Sequence, residues 1–170
     1  MDSMEHVTPD FWVRFDPDMN CKDPSLQAIY SYWDEKRAGR PFPARSDLNP
    51  GDLVPHLGSM TLIDVEYDPF RLRYRLIGTT ITTMMRRDAT GAYYDELYSP
   101  EILASIYSSY HWMIENKRPT RTYGEPVIGD RIDYHIHEAL NLPLSSDGKT
   151  IDKVLGALAF HRKRRPIDTE

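Results

Sequence analysis

The sequence predicts an α+β fold built on an antiparallel sheet, and three observations carry that expectation. Apolar and polar residues alternate over residues 60–66 and again over 70–78, around a Tyr67-Asp68-Pro69 turn. Three helical pieces follow over residues 79–118, and strand alternation returns over 121–162. The order is therefore β-β-α-α-α-β-β-β, organised around the stretch 59–97.

The first 22 residues read as an N-terminal arm, docked by Phe11, Trp12 and Phe15, because three large rings are costly to leave in water. Asp23 and Pro24 start a helix, a side-chain acceptor followed by a ring at the first helical position. Leu26, Ile29, Tyr30 and Trp33 then recur at helical spacing, and Gly39 suits a left-handed cap. This aromatic stripe packs either on the domain's own sheet or on a second copy of the chain. Residues 40–50, RPFPARSDLNP, carry three prolines and form a fixed linker. Arg45 and Asp47 within it anchor the loop to each other or to the domain. Residues 51–58 make a short helical turn into the first strand.

In the hairpin, Phe70, Leu72, Tyr74 and Leu76 share one face, and Arg71, Arg73 and Arg75 the other. Cross-strand pairing and exposure account for the arginines, and an anion site is the other reading. Whether Arg71 faces Asp64 depends on a one-residue register choice. Gly78 ends the strand, Thr79 or Thr80 caps a short helix through Arg87, and residues 92–97 form another helical piece. A long helix from Ser99 and Pro100 runs to Arg118-Pro119, with Ile102, Leu103, Ile106, Tyr107, Tyr110, Met113 and Ile114 on its buried side. Strands over 121–128, 132–142 and 153–162 complete the chain, with a Gly129-Asp130 turn and a Ser145-Ser146-Asp147-Gly148 loop between them.

Of the 170 residues, 40% are hydrophobic, 28% charged and 11% aromatic, which is the make-up of a folded chain. A domain of this size buries roughly 70% of its unfolded surface. The net charge of -5 argues against nucleic acid as a partner, although His161, Arg162, Lys163, Arg164 and Arg165 form a local basic run in the tail. The single cysteine, Cys21, excludes an internal disulfide and a thiolate zinc cluster. No run approaches the ~20 apolar residues of a membrane helix, and residues 1–10 lack the apolar segment of a secretory signal, so a cytoplasmic protein is expected.

Four stretches carry a resemblance: LQAIYSYWDEKRAGR, PFPARSDLNP, YRLIGTTI with RRDATG, and NLPLSSDGKTIDKVLGAL, within residues 25–162. Together they resemble a PAS domain, and more narrowly a bacterial family of mostly stand-alone PAS proteins. The resemblance implies a five-stranded antiparallel sheet with helices on one face, here with an extra N-terminal helix. The domain would span 59–162, after the arm at 1–22 and the helix and linker at 23–58, and before a basic tail at 163–170. One departure is Arg86, which stands where the family usually has glycine.

The resemblance further implies a sensory or protein-interaction module in signal transduction, working through a partner protein and as a homodimer packed through Leu26, Ile29, Tyr30 and Trp33. Its pocket candidates are Leu62, Tyr74, Leu76, Met84, Tyr107, Tyr110 and His111, with ordinary core packing as the competing account. Haem on His111 is the sharpest cofactor reading, and no cofactor is assigned. His135 and His137 share a strand face, as zinc ligands can, but surface histidines are the default. No nucleophile motif, phosphate loop or metalloprotease motif is present, so no catalytic residue is assigned. The alternative is a small α+β enzyme of isomerase or dehydratase type, with Asp64 as a buried base of raised pKa.

Overall fold

The computed structural model describes residues 11–126 and 134–162, the side chains of 11–13, 125–126, 134–137 and 161–162 excepted. The basic run, the Gly129-Asp130 turn and the side chains of His135 and His137 lie outside the described residues. The strands are β1 (Phe11–Asp16), β2 (Met60–Glu66), β3 (Arg71–Ile77), β4 (Thr120–Pro126), β5 (Tyr134–Leu144) and β6 (Lys153–Arg162). The helices are α1 (Pro24–Arg37), α2 (Thr79–Met85), α3 (Tyr94–Leu97) and α4 (Pro100–Asn116), and Pro50–Ser59 is a run of 3-10 turns.

The sheet is antiparallel with six strands in the order β1-β4-β5-β6-β2-β3, which corrects the expectation of five. The extra strand comes from the arm, which pairs with β4 from Phe11↔Pro126 to Asp16↔Arg121. Its Phe15 ring meets Trp112 of α4 edge-on, with centroids 4.8 Å apart.

Helices cover both faces. On one, Ile63, Val65, Leu72, Tyr74 and Val154 pack with Tyr94, Tyr110 and Met113 of α3 and α4. On the other, Met60, Leu62, Leu140, Leu142 and Leu155 pack with Leu26, Ile29 and Trp33 of α1. The α1 stripe is thus spent on the chain's own sheet. Each fully buried side chain of this kind contributes about 1.5–3 kcal/mol. Asp23 caps the helix by accepting from the amides of Ser25 and Leu26, and the turn beyond it is left-handed at Ala38 as well as at Gly39. Trp33 donates its indole N–H to the Pro143 carbonyl at 2.9 Å.

The linker crosses from one core to the other, placing Phe42 under α3 and α4 and Leu48 under α1. Asp47 receives Arg40 and the Ala44 amide, whereas Arg45 donates to the Leu48 carbonyl. Gly78 is required where β3 meets the 3-10 run, since a Cβ there would collide with the carbonyl oxygens of Leu57 and Gly58. Arg86 ends α2 at φ 54, so it adopts the glycine-like conformation at a cost of about 1–2 kcal/mol.

A bulge at Arg75 changes the reading of β3. Tyr74 faces Ile63 and Leu76 faces Leu62, which leaves Arg75 unopposed and turns Leu76 to the other side of the sheet. Leu76 is consequently 56% exposed rather than aligned with Leu72 and Tyr74.

Candidate functional site

The seven pocket candidates fall into separate places. Tyr74 and Tyr110 share the core beneath α3 and α4, where Tyr94 and Tyr98 join them. The Tyr74 ring lies 4.5 Å from that of Tyr94, its hydroxyl is 2.8 Å from the Tyr98 hydroxyl, and Tyr110 donates to Asn141 Oδ1 at 3.4 Å. Burial pushes the hydroxyls of Tyr74, Tyr94, Tyr98 and Tyr110 above the usual tyrosine value, so all four stay neutral well beyond pH 7. With Leu72 and Met113 fully buried beside them, these rings fill the layer between sheet and helices.

Tyr107 and His111 sit further out on α4, against Phe70 at 5.0 and 4.5 Å. His111 is exposed, so an iron there would find no enclosed space behind it, and the residues do not fit a haem. Leu62 belongs to the opposite core, Leu76 faces solvent, and Met84 lines a cleft near the start of α1. Among the described residues no group of three or more His, Cys, Asp or Glu could hold a metal ion. Tyr94 and Tyr98 went unread in the sequence, although their i, i+4 spacing in YDELY was a signal that two rings share one side of a short helix.

The arginine face is charge-paired. The register sets Arg71 opposite Glu66 and Arg73 opposite Asp64. Arg71 binds Asp95 through two nitrogens at 2.7 and 2.8 Å and lies 3.5 Å over the Tyr93 ring. Asp64 is shared by Arg73 at 2.8 Å, Lys153 at 3.1 Å and Arg75 at 3.6 Å. Burial alone would raise its pKa, but hydrogen bonds from Arg73 and Lys153 outweigh this and hold it below the usual carboxylate range. A general base with a raised pKa is the opposite arrangement.

A second ionic network ties the amino end to the sheet. Glu138, 1% exposed, accepts from the amides of Lys22 and Asp23 just before α1, and from Arg121 of β4. Arg121 also reaches Asp16 of β1 at 2.9 Å. Burial opposes the charge on Glu138, and the two amides and the guanidinium together keep its pKa below the ordinary glutamate value. Cys21 is buried beside this network, and burial pushes its thiol up to about 11, which removes it as a nucleophile at neutral pH.

An antiparallel sheet covered on both faces, with helices inserted between its first hairpin and its last three strands, is an α+β architecture of the PAS type. The chain belongs to the PAS domain family: the family model, described as a PAS domain, matches residues 21–159, taking in α1 and the linker. No curated protein and no solved structure matches the chain. No helix among the described residues is long and apolar enough to cross a membrane.

Proposed function

We propose that this PAS domain is a sensory or protein-interaction module in signal transduction, passing its state to a partner protein through α1. The observation that carries the reading is the attachment of α1. Its entry is held by Glu138 on the amides of Lys22 and Asp23, and its far end by Trp33 on Pro143, so the sheet sets the helix position through two separable contacts. A signal that favours one arrangement of the helix changes what a partner meets. The filled tyrosine core and the ion-paired Asp64 support a module over an enzyme.

The proposal includes a homodimer. With Leu26, Ile29 and Trp33 taken up by the chain's own sheet, Tyr30 is the one of the four left partly open to a second copy. Light scattering tests this, and a Tyr30→Ala variant with wild-type mass removes that contact from the reading. The module itself is tested by native mass spectrometry with an absorption spectrum on protein purified without added ligand. A retained small molecule, or a partner recovered in a defined complex, supports it; turnover of a small substrate by the purified chain overturns it.

A further inference from the structure

The bulge at Arg75 sets an apolar side chain among cations at an open border of the sheet. On the α1 side, Leu155, Leu62 and Leu76 form one row across β6, β2 and β3; the first two are buried, whereas Leu76 is 56% exposed. In the next row Asp64 gathers Arg73, Lys153 and, from the bulge, Arg75, so three cations share one carboxylate. Arg75 stands furthest off, at 3.6 Å, with its side chain 55% exposed. The excess charge at this border is positive.

The 3-10 run extends the apolar part. Its Leu57 carbonyl oxygen lies against Gly78, two residues after Leu76. Side chains three apart eclipse in a 3-10 helix, so Val54 and Leu57 stand in line along the run, 63% and 40% exposed. Val54, Leu57 and Leu76 are three of the four large hydrophobic side chains that the described residues leave exposed. Apolar exposure gathered in one place beside polar groups marks a surface that another molecule covers.

We propose that this border docks an acidic amphipathic helix of a partner protein, with its leucines on Val54, Leu57 and Leu76 and its carboxylates on Arg73, Arg75 and Lys153. An extended strand is a poorer fit, since the free edge of β3 already bonds to residues 91–93 through Arg73 and Tyr74. An anionic bilayer is a poorer fit as well. The chain carries a net charge of -5, and a wide surface meets that total, where a single helix meets the local excess. A helix docked here also senses α1. The Tyr32 hydroxyl of α1 donates to Asp52 at 3.0 Å and accepts from the Asn49 amide at 2.9 Å, at the head of the same 3-10 run. The inference rests on the module reading for its purpose and names the chemistry of the partner.

The test is a calorimetric titration of the full chain with the peptide acetyl-SEELLEELLEES-amide, against acetyl-SKKLLKKLLKKS-amide as its basic counterpart. The acidic peptide binds saturably and loses affinity as salt rises, and the basic one does not bind. Leu76→Ser weakens the acidic peptide about tenfold and Arg75→Ala about threefold. Both positions are exposed, so both proteins keep the wild-type melting temperature; should either unfold, Val54→Ser makes the same test. No saturable binding of the acidic peptide, equal binding of the two peptides, or folded variants of wild-type affinity overturns the proposal. Binding to vesicles of equimolar phosphatidylcholine and phosphatidylserine that is lost in both variants overturns it in favour of a membrane. A partner protein recovered equally well by a chain carrying both substitutions rejects this face and leaves the module. Turnover of a small substrate overturns the module, while peptide binding lost in the variants still supports the face.

Discussion

Trp33 is the largest side chain under α1, and it is both packed and hydrogen-bonded. Trp33→Ala is expected to cost about 3–5 kcal/mol in urea denaturation, by cavity formation. Trp33→Phe keeps an apolar ring but orphans the Pro143 carbonyl, at about 1–3 kcal/mol. A loss under about 1 kcal/mol for the alanine variant would mean that α1 contributes little to the fold. Lys117 makes a second test at this scale, since it ends α4 at φ 52, where a Cβ is strained. Lys117→Gly is expected to raise stability by about 0.5 kcal/mol, the strain relieved less the added chain entropy. Single residues were also where sequence reading went astray. Counting alternation along β3 assumed an unbroken ladder, and one extra residue, Arg75, carried Leu76 to the other side. The tyrosine core was half legible: Tyr74 and Tyr110 lay on long periodic elements, while Tyr94 starts a four-residue helix and Tyr98 caps its end, so their i, i+4 spacing was the one signal to read.

Among elements, the long and capped ones were legible. The helix expected from Asp23-Pro24 to about residue 38 is Pro24–Arg37, and the one from Ser99-Pro100 is Pro100–Asn116, because a capping acceptor, proline at the first turn and apolar spacing act locally. β1 was missed because six residues between prolines resemble an arm, and only pairing with β4, more than a hundred residues away, makes them a strand. That α1 would lie on the opposite face from α3 and α4 was equally hidden, since its stripe suits any apolar surface. The consequence is measurable. A chain truncated before Gly39 uncovers Leu140, Leu142 and Leu155, and is expected to bind ANS strongly or to aggregate. A fragment that stays monomeric and dark with ANS would show that this face does not need its helix.

For the whole molecule, charge rather than hydrophobic area sets the response to acid. Asp64 and Glu138 have folded pKa values below their ordinary values of 3.8 and 4.5. Their stabilisation is complete above those values and is lost as pH falls through the depressed folded ones. Denaturation midpoints should therefore be flat near neutrality and drop below about pH 4.5. Glu138→Gln should lower the midpoint at pH 7 and flatten the acid limb. An acid limb identical to wild type would remove Glu138 from the account. The order of elements and the antiparallel class were readable from the sequence because each hairpin and helix announces itself, whereas the sixth strand and the second covered face arise only from contacts between distant segments.

The position of β1 also has a mechanical meaning. β1 is the first described element, and α1 begins eight residues after its last residue, Asp16. Traction on the amino end would load the β1–β4 ladder and the Asp16–Arg121 pair first. Until those give, the pull is absorbed within the sheet, and α1 feels none of it.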